Sequence, residues 1–564
     1  MIRYSRQQTV LQNIEPVAMR EPFTTEEVKY AINKLKNNKS AGLDDIQAEH
    51  LKRAPNIIME KIAEIFNEMT ITGNFPNEIT QGILIPLQKQ GKEKGYIKNT
   101  RPIILLNTIR KILAIIMLKR IINKLNEEIP LTQSAYRSGR STTENVFVLR
   151  TLIDKALSLT NYELNILFLD MSKAFDSIDR EILLEDLNKI LDADELHIKI
   201  LIKDVTLIVR NGKTFGTAFN TTKGIPQGDS LSPILFTLYL ANSLKQENIN
   251  KNLIGNEFEN VKQNDHDSYT TVNTVSENLL PTHLQDHNYD RKQNKIFSLD
   301  QQFADDINWI TNNSTKLNEI EGNVTLKLKK RGLLINESKT EKLRISKDGN
   351  MDWKQTKYLG SYLDTEKDLN HRKQLCMFSY LKNRNKLESK RLSIKIKMRI
   401  FNAFVTSIFL YNSELWITNT KLNNKINVFQ RSLLRRILNI RYPKIISNAK
   451  LYQITKEKEW SNTIKCRRLK WTGHLMRLPD KTPAKLALEE SLKSVGIKNI
   501  GKRSFYKTWI GNTELDITQT DKNLTMNHIY EHGLADDREK WKNETVRKAS
   551  TCHIYNSGCL DSQK

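Results

Sequence analysis

The feature that most constrains how this chain can fold is a pair of acidic sites set within apolar segments. Leu164-Asn165-Ile166-Leu167-Phe168-Leu169 is a short, mostly apolar run that ends at Asp170. Its length and aliphatic content suit a buried strand better than a helix, although periodicity alone leaves both open. Much later, Phe303-Ala304-Asp305-Asp306-Ile307-Asn308-Trp309-Ile310 has two acids interrupting a segment that is apolar on both sides. A hairpin with the acids at its turn would hold them rigidly on a sheet. Taken singly, the Asp-Asp pair is equally a surface turn and Asp170 a strand-terminal acid, because acids are common at turns.

Between the acid sites lies Lys223-Gly224-Ile225-Pro226-Gln227-Gly228-Asp229-Ser230-Leu231-Ser232-Pro233, a glycine-containing turn that leads into the apolar stretch Ile234 to Leu244. Glycines there would let the backbone approach a base pair closely. Ser232 is positioned to cap the helix, with Pro233 in the first helical position that proline favours. Acids gathered this way suit phosphoryl transfer to a primer 3′-hydroxyl, which two Mg²⁺ ions about 3.5–4 Å apart can serve. One ion activates the attacking oxygen and the other stabilises the leaving pyrophosphate. Mg²⁺ usually takes only one or two protein carboxylates, so Asp170 and Asp305 are the expected pair, with Asp306 adjacent.

Charge points the same way. Eighty-nine Lys plus Arg against 64 Asp plus Glu leave a net charge of +25. That field attracts polyanions, and counterion release from phosphates would drive binding. At 564 residues the chain has room for about three to four domains. Its cysteines, Cys376, Cys466, Cys552 and Cys559, form no disulfide framework and fit a reducing intracellular compartment. The N-terminus lacks an apolar targeting core. No apolar run reaches the ~20 residues needed to cross a bilayer, and the nearest, Ile103 to Leu118, is broken by Arg110 and Lys111. A soluble chain in the nucleus, the cytoplasm or both, with no membrane partner, is expected.

Locally, Thr24 and Glu27 read as a capping box opening a helix to about Lys36. A second amphipathic helix is expected over Ile57 to Thr70, a strand over Gly82 to Pro86, and helical spacing over Leu105 to Leu125. From about Gln246 to Ser298 polar residues dominate, which suits a solvated insertion. Lys367 to Met476 is helical and basic, and the chain beyond residue 480 is weakly patterned.

Taken in order, Phe168-Leu169-Asp170, Lys173-Ala174-Phe175-Asp176, Gln227-Gly228-Asp229-Ser230-Leu231-Ser232-Pro233 and Phe303-Ala304-Asp305-Asp306 resemble the palm of reverse transcriptases. The closer resemblance is to non-LTR (LINE-type, RTE-like) retrotransposons. Ser40-Ala41-Gly42-Leu43-Asp44, Asn99-Thr100-Arg101-Pro102-Ile103 and Gln133-Ser134-Ala135-Tyr136-Arg137-Ser138-Gly139-Arg140 resemble the fingers and the segment before them. Gly332-Leu333-Leu334-Ile335-Asn336 with Lys339-Thr340, and Tyr358-Leu359-Gly360, resemble later palm motifs. The likeness extends through Arg467-Arg468-Leu469-Lys470-Trp471-Thr472-Gly473-His474 and covers roughly residues 24 to 480.

The resemblance implies an α+β right-hand polymerase. An N-terminal extension would occupy 1–23, fingers with the start of the palm 24–160, and the palm 161–365, with its polar insertion near 246–298. A helical basic thumb would follow over 366–480 and a tail region over 481–564. The implied activity is RNA-directed DNA polymerisation, adding dNTPs to a DNA primer 3′-end on an RNA template. Two Mg²⁺ ions, replaceable by Mn²⁺, would sit on Asp170, Asp305 and Asp306. Phe175 would lie beneath the incoming sugar and clash with a 2′-hydroxyl, Gln227 would touch the nascent base pair, Arg101 with Lys89 would bind the triphosphate, and Lys339 would assist near the pyrophosphate. For each there is a plainer alternative: Arg101 and Lys89 as solvated charges, Phe175 as a core aromatic.

The chain also departs from the family. The polar stretch before Phe303 is longer than usual, and the first matched segment begins near Thr24, so a target nick is expected from a separately supplied endonuclease. In the Cys552 to Cys559 tail, Tyr555 stands where a second cysteine would complete a pair, so no zinc is assigned. An RNA-dependent RNA polymerase is disfavoured by the Phe175 ring. A catalytically silent, nucleic-acid-binding remnant of a decayed element is the other alternative, against which all three acids are retained.

Overall fold

The computed structural model describes residues 11–13, 20–158, 163–193, 195–203, 205–245, 298–347, 349, 351–495, 499–500 and 503–551. Thr24 opens the first helix (α1, Thr25–Lys34) with the expected box. Its hydroxyl accepts the Glu27 N–H at 3.2 Å and the Glu27 carboxylate accepts the Thr24 N–H at 3.2 Å. Helix α2 (Asn56–Thr72) ends at Gly73, whose φ of +69° closes the last turn. Strands β1 (Gln81–Gln88) and β2 (Thr100–Leu106) pair antiparallel. The apolar spacing that begins at Leu105 therefore opens inside a strand, and the helix it predicts, α3, runs over Thr108–Glu128.

Helix α4 (Thr142–Ser158) precedes β3 (Glu163–Leu169), the strand that delivers Asp170. Then come α5 (Arg180–Asn188), the hairpin of β4 (Val205–Asn211) and β5 (Thr214–Thr221), and α6 (Ser232–Leu244). The expected Ser232 cap is absent. Its hydroxyl donates instead to the Pro226 carbonyl at 2.7 Å, tying the preceding turn to the helix, while Pro233 does occupy the first turn. The second hairpin is β6 (Ser298–Phe303) with β7 (Asp306–Thr311), followed by α7 (Ser314–Lys330) and β8 (Glu341–Ser346). The polar insertion lies almost wholly in 246–297, outside the described residues.

Two four-stranded sheets result. One has the order β8-β3-β7-β6, all antiparallel. The other has the order β2-β1-β4-β5, with β1 and β4 parallel. With the surrounding helices this is an α+β architecture. Strand β3 explains its own sequence. Leu167 and Leu169 face a core built by α1, α2, α3, α6 and α7, while Leu164 and Ile166 face a second core on the other side. A strand buried on both faces reads as a continuous apolar run.

The second core corrects the expectation of a tail after residue 480. Beyond α8 (Thr365–Lys382), α9 (Thr420–Ile437) and α10 (Trp460–Met476), the chain continues into α11 (Pro483–Leu492) and α12 (Trp509–Thr518). Leu488, Trp509, Ile517, Ile529 and Trp541 are buried together with Val146, Phe147 and Leu149 of α4. These helices are short and separated by polar turns, so no window of the sequence carries a strong period. Cys552 and Cys559 lie outside the described residues, and Cys376 and Cys466 are free thiols. Among the described residues no helix is long and apolar enough to cross a membrane.

Candidate active site

Register brings the acids together. Strands β3 and β7 pair antiparallel with Ile307 opposite Leu169, so the next step along both chains sets Asp306 across from Asp170. Asp305 and Ala304 form the two-residue turn between Phe303 and Asp306. Ala304 holds φ at +56°, a left-handed conformation that costs a residue with a Cβ about 1–2 kcal/mol. A buried side chain supports it: Gln133 Oε1 accepts the Ala304 N–H at 3.1 Å and the Ala135 N–H at 3.0 Å.

A polar lattice lies behind this turn. Gln302 bonds through its backbone to Thr132 and Ser134, and Asn145 donates to the Gln302 carbonyl at 3.1 Å. The Tyr358 hydroxyl donates to Asn308 at 3.2 Å. Buried polar groups of this kind are stabilising only when satisfied, and a satisfied lattice fixes one geometry. Gln133, Asn145 and Tyr358 were within reach of the sequence as members of motifs or helices, but nothing in their spacing reveals that they meet behind one turn.

The electrostatics are those of crowded carboxylates. Burial among protein atoms pushes the Asp306 carboxyl up to about 6, although its surface is open to solvent, and Asp305 and Asp170 add repulsion that Lys339 partly offsets. Burial likewise raises Asp305; a backbone hydrogen bond opposes this, Asp170 adds to it, and Lys339 and Arg101 pull it back. Asp170 is turned toward Lys339, whose ammonium lies 2.9 Å from Oδ2, and Asn336 donates to the same oxygen at 3.2 Å. Among the described residues no three His, Cys, Asp or Glu side chains are gathered at ligating distance. The hard oxygens of these carboxylates suit a hard divalent cation.

The remaining candidates surround the acids. Phe175 stacks on buried Phe236 with ring centroids 4.6 Å apart. Its neighbour Asp176 accepts a hydrogen bond from Gln227 Nε2 at 3.1 Å. Burial raises the Asp176 carboxyl, against Gln227, Lys173 and Lys89. The Gln227 carbonyl accepts the Ile104 N–H at 2.9 Å, which docks the glycine turn on the free edge of β2. Gly228 makes this approach possible, since a Cβ there would lie 2.6 Å from the Ile104 carbonyl. Arg101 is exposed on β2, opposite Leu87, and Lys89 follows β1 with its ammonium 3.3 Å from the Lys98 carbonyl. Both cations reach the site through the field they exert on Asp305 and Asp176.

Two contacts of this region are not legible in the sequence, although Asp229 and Tyr136 stand in its motifs. Asp229 is buried against Arg110 at 2.8 Å, so the cation that merely interrupts an apolar run is the anchor beneath the glycine turn. Tyr136 is half exposed at φ +60°, with Asp305 contributing to its raised hydroxyl pKa after burial.

Residues 87–363 match the family described as reverse transcriptase (RNA-dependent DNA polymerase). The chain is 28% identical over 237 residues to a probable RNA-directed DNA polymerase from transposon BS of Drosophila melanogaster, covering 42% of this chain and 26% of that protein. It is 30% identical over 221 residues to the corresponding protein of transposon X-element from the same species, covering 39% and 24%. The matched region thus spans about a quarter of these curated relatives. Apo telomerase from Candida tropicalis aligns over 81% of this chain and 68% of that one, at 14% identity and a TM-score of 0.38. Reverse transcriptases generally use divalent metal ions. Residues 87–363 match a reverse transcriptase domain, and the curated relatives of that region are described as RNA-directed DNA polymerases from transposons.

Proposed function

We propose that the chain extends a DNA primer 3′-end with dNTPs on an RNA template, with Asp170, Asp305 and Asp306 as its catalytic acids. The observation that carries this reading is the β3–β7 register, which sets Asp170 and Asp306 opposite one another with Asp305 in the adjoining turn. Two Mg²⁺ ions, or Mn²⁺ in their place, would be held by these carboxylates and would supply activation of the hydroxyl and neutralisation of the phosphates. Arg101 and Lys89 carry the positive charge that attracts a triphosphate to the same side. Lys339, whose ammonium lies 2.9 Å from Asp170 Oδ2, would assist near the pyrophosphate. The Phe175 ring, immobilised on Phe236, bars a 2′-hydroxyl, and Gln227 lies against the new base pair.

In this reading fingers with the start of the palm occupy 24–160, the palm 161–365 and the thumb 366–480, and copying takes place within the cell, in the nucleus or the cytoplasm. Primer extension on an RNA template with Mg²⁺ tests it. The wild-type chain incorporates dNTPs. Asp305→Asn lowers incorporation by more than about 100-fold, beyond the loss typical of a residue that only supports a metal ligand. Phe175→Ala admits rNTPs. No incorporation by a folded wild-type chain, the outcome expected of a silent nucleic-acid-binding remnant, would sink the proposal.

A further inference from the structure

The motif Arg467-Arg468-Leu469-Lys470-Trp471-Thr472-Gly473-His474 lies within α10, away from the acids in sequence, and the site described above makes no use of it. Most of its residues are committed to the C-terminal core. Arg467 closes a fork on Glu414, with Nε 3.0 Å from Oε2 and Nη2 3.0 Å from Oε1. Arg468 is buried, bonding to Asp516 of α12 and to the Trp416 carbonyl at 2.7 Å. Leu469 and Thr472 are buried, and Gly473 admits the Trp541 indole. His474 differs. Its side chain is 34% exposed and faces the first turn of α4, where Nε2 lies 3.6 Å from Glu144 Oε1. The Trp471 ring, which also meets Phe147 of α4 edge to face, packs beside the imidazole with centroids 5.0 Å apart.

Glu144 is 1% exposed, and a buried carboxylate is tolerated only when its oxygens are engaged. Oε2 accepts the Arg140 Nε–H. Oε1 accepts the Ser141 N–H at 3.1 Å and faces His474. The imidazole nitrogen turned toward a carboxylate carries its proton, because a lone pair there would be repelled. With Oε1 engaged from two sides, Arg140 closes no fork on Glu144. Its Nη2, the nitrogen that Arg467 gives to Glu414, donates instead to the Leu131 carbonyl at 3.0 Å and to Ser134 Oγ at 3.2 Å.

The stretch that Arg140 clamps is the one behind the acid turn. The Ser134 N–H donates to the Gln302 carbonyl at 3.0 Å, and the Gln302 N–H to the Thr132 carbonyl at 3.1 Å. Gln133 Oε1 accepts the N–H of Ala304, the residue before Asp305. A guanidinium and a carboxylate favour the two-bond fork, so an unopposed Oε1 would draw Nη2 away from Leu131 and Ser134.

We propose that His474 is a positioning residue for polymerisation: by engaging Glu144 Oε1 it leaves Arg140 to hold the segment that supports the Asp305 turn. The proposal rests on the chain being a template-copying polymerase. It gives the motif of α10 a task outside its own core, in which the C-terminal helices set the geometry of the acids through one buried ion pair.

The test uses the full chain, with steady-state primer extension beside hydrogen exchange of the backbone over residues 131–135. His474→Ala lowers kcat between about 10- and 100-fold, with KM for dNTP within about twofold. Because His474 is partly exposed, the melting temperature stays within about 2 °C of wild type. Exchange over 131–135 speeds up about tenfold. His474→Gln, whose amide donates to the same carboxylate, restores most of kcat. In an Arg140→Lys background, where no fork can close, His474→Ala has no further effect. Wild-type kcat and exchange in His474→Ala overturn the proposal. So does a kcat lost together with stability and not restored by glutamine, which would make His474 a packing residue. An equal further loss in the Arg140→Lys background would overturn it too, since His474 would then act independently of Arg140. A folded wild-type chain that incorporates no dNTP removes the polymerase reading, while the exchange measurement still decides whether His474 governs the 131–135 segment.

Discussion

At the scale of single residues the acids are conspicuous and their supports are not. An aspartate at the end of an apolar run, or two within one, stands out in the sequence because water-seeking carboxylates rarely sit there. Gln133 has no such signature: it is one polar residue in the polar run Thr132-Gln133-Ser134. In the folded chain its single carbonyl oxygen satisfies two backbone N–H groups, one of them on Ala304 in the strained turn. Gln133→Ala leaves both donors buried without this partner, a cost of about 2–4 kcal/mol. The expected result is a lower denaturant midpoint together with a drop in dNTP incorporation. An unchanged midpoint and rate would show that the turn holds itself.

At the scale of elements, hairpins and helices were readable where a local rule applied. The Thr24 capping box, the α2 stripe and the β6–β7 hairpin follow from neighbours a few residues apart. Boundaries shifted where a long-range contact intervened, as at Leu105, which pairs with Ile83 in the sheet and so joins β2 rather than α3. The docking of the glycine turn on β2 is of the same kind. Gly228 holds φ at +131°, a conformation costly for any side chain by about 1–3 kcal/mol. Gly228→Ala adds a clash with the Ile104 carbonyl and is expected to lift the turn from β2. Steady-state kinetics then give a KM for dNTP raised about tenfold, with overall stability reduced less. A KM that stays at the wild-type value would separate Gln227 from nucleotide binding.

At the scale of the whole molecule, the core depends on the residues after 482. Helices α11 and α12 and the segments that follow close a core that also contains α4 and one face of β3. Gly473 permits one of these contacts, since a Cβ there would meet the Trp541 indole at 2.5 Å, and that indole donates to the Leu469 carbonyl at 2.9 Å. Ending the chain at Lys481 is expected to expose Val146, Phe147 and Leu469 and to yield aggregated or non-cooperatively melting protein. A soluble truncated chain with the full-length melting temperature would show that the reverse transcriptase domain stands without it.

The sequence by itself contained the features on which the proposed chemistry rests. Three carboxylates in apolar settings, a glycine turn and a large positive charge are local or compositional properties, and they persist whatever the tertiary arrangement. It also determined that β3 is buried, because its apolar run leaves no polar face. Only the tertiary structure decided that Asp306 faces Asp170, that Gln133 and Tyr358 lie behind their turn, that Arg110 anchors Asp229, and that the C-terminal helices are core. Each of these joins residues far apart in the chain through register, packing or a buried hydrogen bond. Such contacts depend on how whole elements meet, and a pattern within one window of sequence does not contain that information.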